Sequence, residues 1–167
     1  RSIGDLAREN NKKVLVFVED AAASGGYFIA TAGDEIIADP SSIVGSIGVI
    51  FSGFGFPEAL DKLGVERRVY TAGRNKSTLD PFLPANEADI ERVKGHELDI
   101  HQVFIAHVKA MRGSRLKADD ETLFTGEWWT GVRGLELGLI DSLGDLHQVL
   151  RERFDKNVRT RSIAPKK

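Results

Sequence analysis

Val14-Leu15-Val16-Phe17-Val18-Glu19-Asp20-Ala21-Ala22-Ala23-Ser24-Gly25-Gly26-Tyr27-Phe28-Ile29-Ala30-Thr31-Ala32-Gly33 is the stretch on which the fold turns. Its first five residues form an unbroken apolar run, β-branched and aromatic but for Leu15, the pattern of a strand covered on both faces. The run stops at Glu19-Asp20. Residues 21 to 33 carry no charge and are rich in Ala and Gly, which favour close packing of a helix against a sheet. Gly33 suits a helix stop.

Outward from this unit the same alternation continues. Glu35-Ile36-Ile37-Ala38 reads as a short strand, and Ile47 to Phe51 is another apolar run. Pro57 to Leu63 predicts a short helix, with Pro at its start and Gly64 after its end. Val65 to Tyr70 predicts a further strand. From Glu87 to Met111 the period becomes helical, with Ile90, Val93, Ile100, Phe104, Val108 and Met111 at three- and four-residue spacing broken once at Glu97. Gly-punctuated segments follow, then a last helix from Asp145 to Phe154. Strands alternating with helices predict an α/β layered domain over residues 1–156. The tail, 157–167, is basic at Arg159, Arg161, Lys166 and Lys167 and reads as a solvated, flexible end.

Composition narrows the function. The 167 residues are 41% hydrophobic and 29% charged, enough to bury a core. A net charge of −2 gives no general attraction to phosphate backbones, so no nucleic-acid partner is expected. The absence of Cys excludes disulfides, a thiol nucleophile and Cys-based zinc sites. Arg1 is not an initiator Met and no signal peptide is visible, so a fragment or processed form is expected. The uncharged stretch Pro40–Pro57 is 18 residues long, yet four Gly, four Ser and two Pro leave it too polar for a membrane span. It reads as buried strand and loop.

Candidate chemistry begins with the histidines. His96, His101 and His107 lie on the long helix and His147 on the last. His96 and His101 resemble a zinc-protease pair but stand five apart rather than four, which turns them about 140° from each other on a helix. They read as helix-surface residues, and no metal or cofactor is expected. Ser24 is the stronger candidate. It lies between a buried strand and a helix start, where unpaired N–H groups and positive dipole potential suit a developing oxyanion. The plain alternative is an N-cap serine. No histidine obviously reaches Ser24, so a lysine becomes the candidate base. A lysine ordinarily keeps its proton to about pH 10.4, so acting as a base near neutrality costs ~4 kcal/mol of differential desolvation. Lys76, in Thr71-Ala72-Gly73-Arg74-Asn75-Lys76-Ser77-Thr78-Leu79, is the candidate. An exposed loop lysine is the plain alternative.

Ala22-Ala23-Ser24-Gly25-Gly26-Tyr27, Val44-Gly45-Ser46-Ile47-Gly48-Val49 and Thr71-Ala72-Gly73-x-x-Lys76 together resemble the signal peptide peptidase family of SppA and SohB. Thr125-Gly126-Glu127-Trp128 and Gly138-Leu139-Ile140-Asp141 match its later landmarks. The motif wording is nearer to the SohB branch, and the similarity runs from about Lys13 to Leu150. The resemblance implies a ClpP/crotonase-like fold and a membrane-associated serine peptidase with a Ser/Lys dyad. Ser24 takes the nucleophile position and Lys76 the general-base position. Ser46 takes that of a serine orienting the lysine, and the Gly25 N–H that of an oxyanion donor. Peptide substrates such as signal-peptide remnants, a homo-oligomeric ring or dome, and a periplasmic catalytic domain at the bacterial inner membrane are further implications.

The family's membrane anchor, initial strand–helix units and second oxyanion donor have no counterpart in these residues. Membrane association is therefore expected through a segment outside this chain, and weak activity for the chain alone. Two other readings stay open. A crotonase-type acyl-CoA enzyme would use Glu19 or Asp20 as acid and base. A non-catalytic membrane scaffold would bind peptides along a strand edge. Trp128 and Trp129 read either as core anchors or as part of a subunit contact.

Overall fold

The computed structural model describes residues 3–163. The last four residues of the basic tail, and Arg1, lie outside the described residues. The chain forms two compact units, one built from residues up to Gly48 together with those from Phe104 onward, the other from Val49–Val103.

The first unit holds every strand described. After α1 (Ile3–Glu9), β1 (Leu15–Val18) and β2 (Ala21–Ala23) follow almost without a break, then α2 (Gly25–Ala30), β3 (Glu35–Ala38) and β4 (Ile43–Gly45). The chain thus enters two sheets twice in the same order. β1 pairs with β3 in parallel, Leu15 opposite Glu35 and Val18 opposite Ala38. β2 pairs with β4 in parallel, Ala21 opposite Ile43 and Ala23 opposite Gly45. Each sheet gains a third strand late in the chain: β5 (Trp128–Thr130) lies antiparallel to β4, and β6 (Ser142–Leu143) parallel to β3. The glycine-punctuated region also supplies α5 (Asp120–Leu123), α6 (Gly131–Leu137) and α7 (Leu146–Arg153). This is the α/β layered class expected.

Buried Val18, Ile36 and Val44 from the strands form one cluster with Tyr27 and Ala30 of α2 and Leu139 and Ile140 of the loop before β6. A fully buried side chain of this size contributes roughly 1.5–3 kcal/mol. The alanine-rich stretch after Asp20 is divided differently from the expectation: three alanines form β2, and the helix starts only after Ser24. Small residues suit both states, so pairing with β4 decides between them.

In the second unit, α3 (Ala59–Lys62) is the expected short helix, and the long α4 (Glu87–Arg112) begins there and ends in the first unit. Val65–Tyr70 is not a strand. It has no ladder partner among the described residues, and Tyr70 is 90% exposed. β-branched composition alone does not make a strand where no neighbour completes the hydrogen bonds. Residues 47–51 likewise do not form a strand; Ile47 is buried while Ile50 and Phe51 are exposed.

The apolar stripe of α4 also departs from expectation. Phe104 and Val108 are buried, but the next position on that face is Arg112, buried in place of the exposed Met111. Arg112 survives there because every side of its guanidinium is answered. Nε and Nη2 donate to the Gly138 carbonyl at 3.1 and 2.7 Å, and both Nη groups donate to Asp141 at 2.8 and 3.0 Å. Asp141 also accepts the Ile36 N–H at 2.8 Å. Gly138-Leu139-Ile140-Asp141 is therefore a clasp joining α4 to β3.

Partial burial alone would raise the Asp141 carboxyl, but the Arg112 and Ile36 hydrogen bonds and the charges of Arg112 and Arg115 outweigh it and hold it below the usual range. A carboxyl depressed on folding stabilises the fold above its unfolded value, near pH 3.9, and that stability is lost as pH falls through the folded value. Asp141→Asn should flatten this acid limb in urea titrations between neutral pH and pH 3. Arg112→Met should cost ~3 kcal/mol in the same assay, because it strands Asp141 and the Gly138 carbonyl.

Candidate active site

Ser24 stands at the corner between β2 and α2, with φ 52° and ψ −122°. A non-glycine residue at positive φ is uncommon, and strain of this kind persists only where surrounding structure enforces it. Here the Ser24 N–H donates to the Gly45 carbonyl at 2.8 Å, and the Ser24 carbonyl accepts the Phe28 N–H at 3.0 Å. The side chain makes no capping bond to α2, and Ser24, Gly25 and Gly26 are all exposed. The plain N-cap role is thus not the one Ser24 plays. A Cβ at Gly25 or Gly26 would meet nothing within 4 Å, so the start of α2 presents open backbone. The corner has the strand-to-helix form that lifts a nucleophilic serine out of the sheet of α/β-hydrolases.

Ser46 occupies a second corner of the same kind. It follows β4 directly, as Ser24 follows β2, and the register Ala23 opposite Gly45 places the two serines at the same end of neighbouring parallel strands. Ser46 also lies at positive φ, 54°, and its N–H donates to the Glu127 carbonyl at 2.7 Å. The glycines flanking it are required by contact. A Cβ on Gly45 would come within 2.7 Å of the Trp129 ring, and one on Gly48 within 2.8 Å of Gly126 Cα. The Gly-Ser-Ile-Gly and Thr-Gly-Glu-Trp stretches, 80 residues apart in the chain, are two sides of one junction.

α2 is anchored below its open end. The buried Tyr27 hydroxyl donates to the Leu139 carbonyl at 2.7 Å, and burial pushes its phenol far up, so it remains a donor. His107, expected as a surface residue, instead packs on α2. Its ring stacks on Phe28 at 3.9 Å between centroids, and Nε2 lies 2.9 Å from the Thr31 hydroxyl. That hydroxyl already donates to the Phe28 carbonyl, so it accepts from His107, which places the ring proton on Nε2. The two tryptophans divide: Trp129 is buried at 9% exposure and Trp128 is 57% exposed. Glu19 and Asp20 are exposed in the turn between β1 and β2.

Lys76 belongs to the second unit. It is exposed within a turn in which its N–H donates to the Gly73 carbonyl at 3.2 Å, Gly73 itself lying at φ 100°. The turn is braced from within that unit: Thr78 Oγ1 donates to the Asn75 carbonyl at 2.8 Å, and Ser77 and Arg67 both donate to Asp80. The structure therefore brings Ser24, Gly25 and Ser46 together in one unit and sets Lys76 in the other. Glu127 and Trp129 bear on the Ser46 corner without having been read as part of a site: Glu127 was noted only within the Thr-Gly-Glu-Trp motif, and Trp129 only as a core anchor or part of a subunit contact. Among the described residues no cluster of His, Asp or Glu is placed to hold a metal ion, and no helix is long and apolar enough to cross a membrane.

Comparison with known proteins adds a family. Residues 6–159 match peptidase family S49. The chain is 59% identical over all 167 residues to a Brucella abortus protein named Na(+)/H(+) antiporter NhaA, of which it covers 23%. It is 32% identical over 149 residues to a Buchnera aphidicola protein named "Probable protease SohB", covering 89% of this chain and 44% of that protein. The chain thus spans less than half the length of these relatives. Among solved structures, a membrane-bound stomatin-specific protease, a mutant in complex with a substrate peptide, superposes with a TM-score of 0.51 at 20% identity. That match covers 89% of this chain and 56% of the other, and it shows a shared fold.

The strain at Ser24 is measurable. Ser24→Gly relieves the positive φ, whereas Ser24→Ala keeps it. The glycine variant should be the more stable of the two by about 1 kcal/mol, read from paired urea melts. Equal midpoints would show that the corner is not strained.

Proposed function

The chain belongs to peptidase family S49, and from that membership we propose that it is the catalytic portion of a serine endopeptidase acting through a Ser24/Lys76 dyad. The observation that carries the reading is the Ser24 corner: an exposed, uncapped hydroxyl at strained φ, at the mouth of an open helix start. A serine that neither caps its helix nor packs in the core has no structural use for that strain.

In this reading the Ser24 hydroxyl gives its proton to the neutral amine of Lys76 as the oxygen attacks a peptide carbonyl. The oxyanion that forms takes a hydrogen bond from the Gly25 N–H. The protonated lysine then returns its proton to the leaving amine, and water resolves the acyl-enzyme. Ser46 orients the lysine from the neighbouring corner. Such a base must shed its water, and Lys76 is exposed in the single chain. Assembly of several copies is the proposed means of drying it, in line with the expected homo-oligomer.

Peptides are the proposed substrates, with signal-peptide remnants as the class the family resemblance favours. The bacterial inner membrane, with the catalytic domain on the periplasmic side, is the proposed place of action from the family resemblance, and two comparisons support the association with a membrane alone. One is the membrane-bound protease of like fold. The other is the antiporter-named relative that carries a segment 59% identical to this chain.

In the complete natural polypeptide, Ser24→Ala and Lys76→Ala should each lower hydrolysis of a fluorogenic peptide by at least ~10³-fold. A fluorophosphonate probe should label the parent and leave Ser24→Ala unlabelled. Hydrolysis at the parental rate by both variants would refute the dyad.

A further inference from the structure

Two residues at positive φ, side by side at the ends of neighbouring strands, need a common restraint, and the hydrogen bonds and contacts around them lead to one place. The Ser46 N–H is held by the Glu127 carbonyl at 2.7 Å. The Ser24 N–H is held by the Gly45 carbonyl, and Gly45 itself bears on the edge of the Trp129 indole, with ring atoms 2.7 and 2.8 Å from where a Cβ would stand. Gly48 meets the Gly126 backbone just beyond. Residues 126–129 therefore touch the 45–48 loop at each end and in the middle. The register sets Val44 opposite Trp129 and Gly45 opposite Trp128, so the indole reaches diagonally across to Gly45.

We propose that Trp129 is a positioning residue for the reaction, fixing the Gly45–Ser46 peptide and through it the direction of the Ser24 hydroxyl. The inference rests on Ser24 being the nucleophile. Gly45 has no side chain with which to hold its own place, and at φ 94° it sits where the backbone has the most freedom. The indole supplies the missing surface. Without it, a void opens beside Gly45, and the strain stored at Ser24 and Ser46 relaxes by moving the two corners. A displacement of the nucleophile by ~1 Å costs on the order of 10²-fold in rate. The neighbouring Trp128, on the other face of β5, is exposed and gives no such support. Trp129 is buried and has no surface to offer a substrate, so its loss acts on kcat and not on KM.

The test is Trp129→Phe in the complete natural polypeptide, with a fluorogenic peptide as substrate. A phenyl ring keeps most of the buried volume but withdraws the atoms that bear on Gly45. The expected result is a kcat lowered ~10–100-fold with KM within about twofold, and phosphonylation by a fluorophosphonate slowed by the same factor. Val149→Ala, a buried truncation on α7, is the control for stability alone. It should lower the melting temperature and leave kcat unchanged below its transition. Trp129→Tyr carries the same test if the Phe variant is insoluble. A parental kcat and phosphonylation rate in folded Trp129→Phe, with Ser24→Ala inactive, would overturn the positioning role while keeping the nucleophile. A raised KM with unchanged kcat would overturn it equally. Activity in Ser24→Ala would instead overturn the reading on which it rests.

Discussion

The hydrogen bond from the Ser24 N–H to the Gly45 carbonyl is the constraint from which the site's geometry follows. It extends the β2–β4 ladder one residue past the end of β2, so Ser24 is still tied to the sheet while its own φ has already turned positive. The hydroxyl therefore leaves the sheet at a fixed place rather than folding back to cap α2. The same device is repeated one strand over, where the Glu127 carbonyl ties Ser46. Both corners hold because β4 lies between two partners, parallel β2 and antiparallel β5. A central strand has no free edge along which its end can slide.

Beneath this surface the helix that carries the open N–H groups is held from its far side. Tyr27 reaches the Leu139 carbonyl, and the next residues of that loop, Ile140 and Asp141, lead to the clasp with Arg112. A buried arginine is costly unless each of its nitrogens finds an acceptor, and here a carbonyl and a carboxylate accept from all three. The Gly-Leu-Ile-Asp motif is thus structural in its immediate role and serves the site at one remove, by keeping α2 at a set depth. The stack of His107 on Phe28 works to the same end from α4.

Much of the first unit was legible before any coordinates. The run Val14–Val18 is apolar throughout and the segment Glu35–Ala38 centres on two isoleucines, and Asp145 caps the last helix where its side chain accepts the His147 and Gln148 N–H groups. Ser24 could be singled out because a serine between a strand and a Gly-Gly pair is a recognisable local arrangement. β2 could not, because Ala21–Ala23 has no period and no propensity of its own. Val65–Tyr70 misled for the opposite reason: its composition favours a strand, and no partner is there to make one. Met111 was also placed on the apolar stripe where Arg112 is the buried residue, since hydropathy ranks methionine inward and is blind to the Asp141 that pairs with the arginine.

By itself the sequence determined the α/β class, the position of the candidate nucleophile, and the family through motifs that keep their order along the chain. These are properties of neighbouring residues, and neighbouring residues are what a one-dimensional pattern records. Only the tertiary structure decided that Gly45 and Gly48 are glycines because residues 126–129 lie against them, that Trp129 is buried while Trp128 is not, and that Lys76 stands exposed on the second unit. Each of these depends on which distant segment comes to lie beside a residue. That is set by packing and by strand register, in which a shift of one position exchanges the buried face for the exposed one.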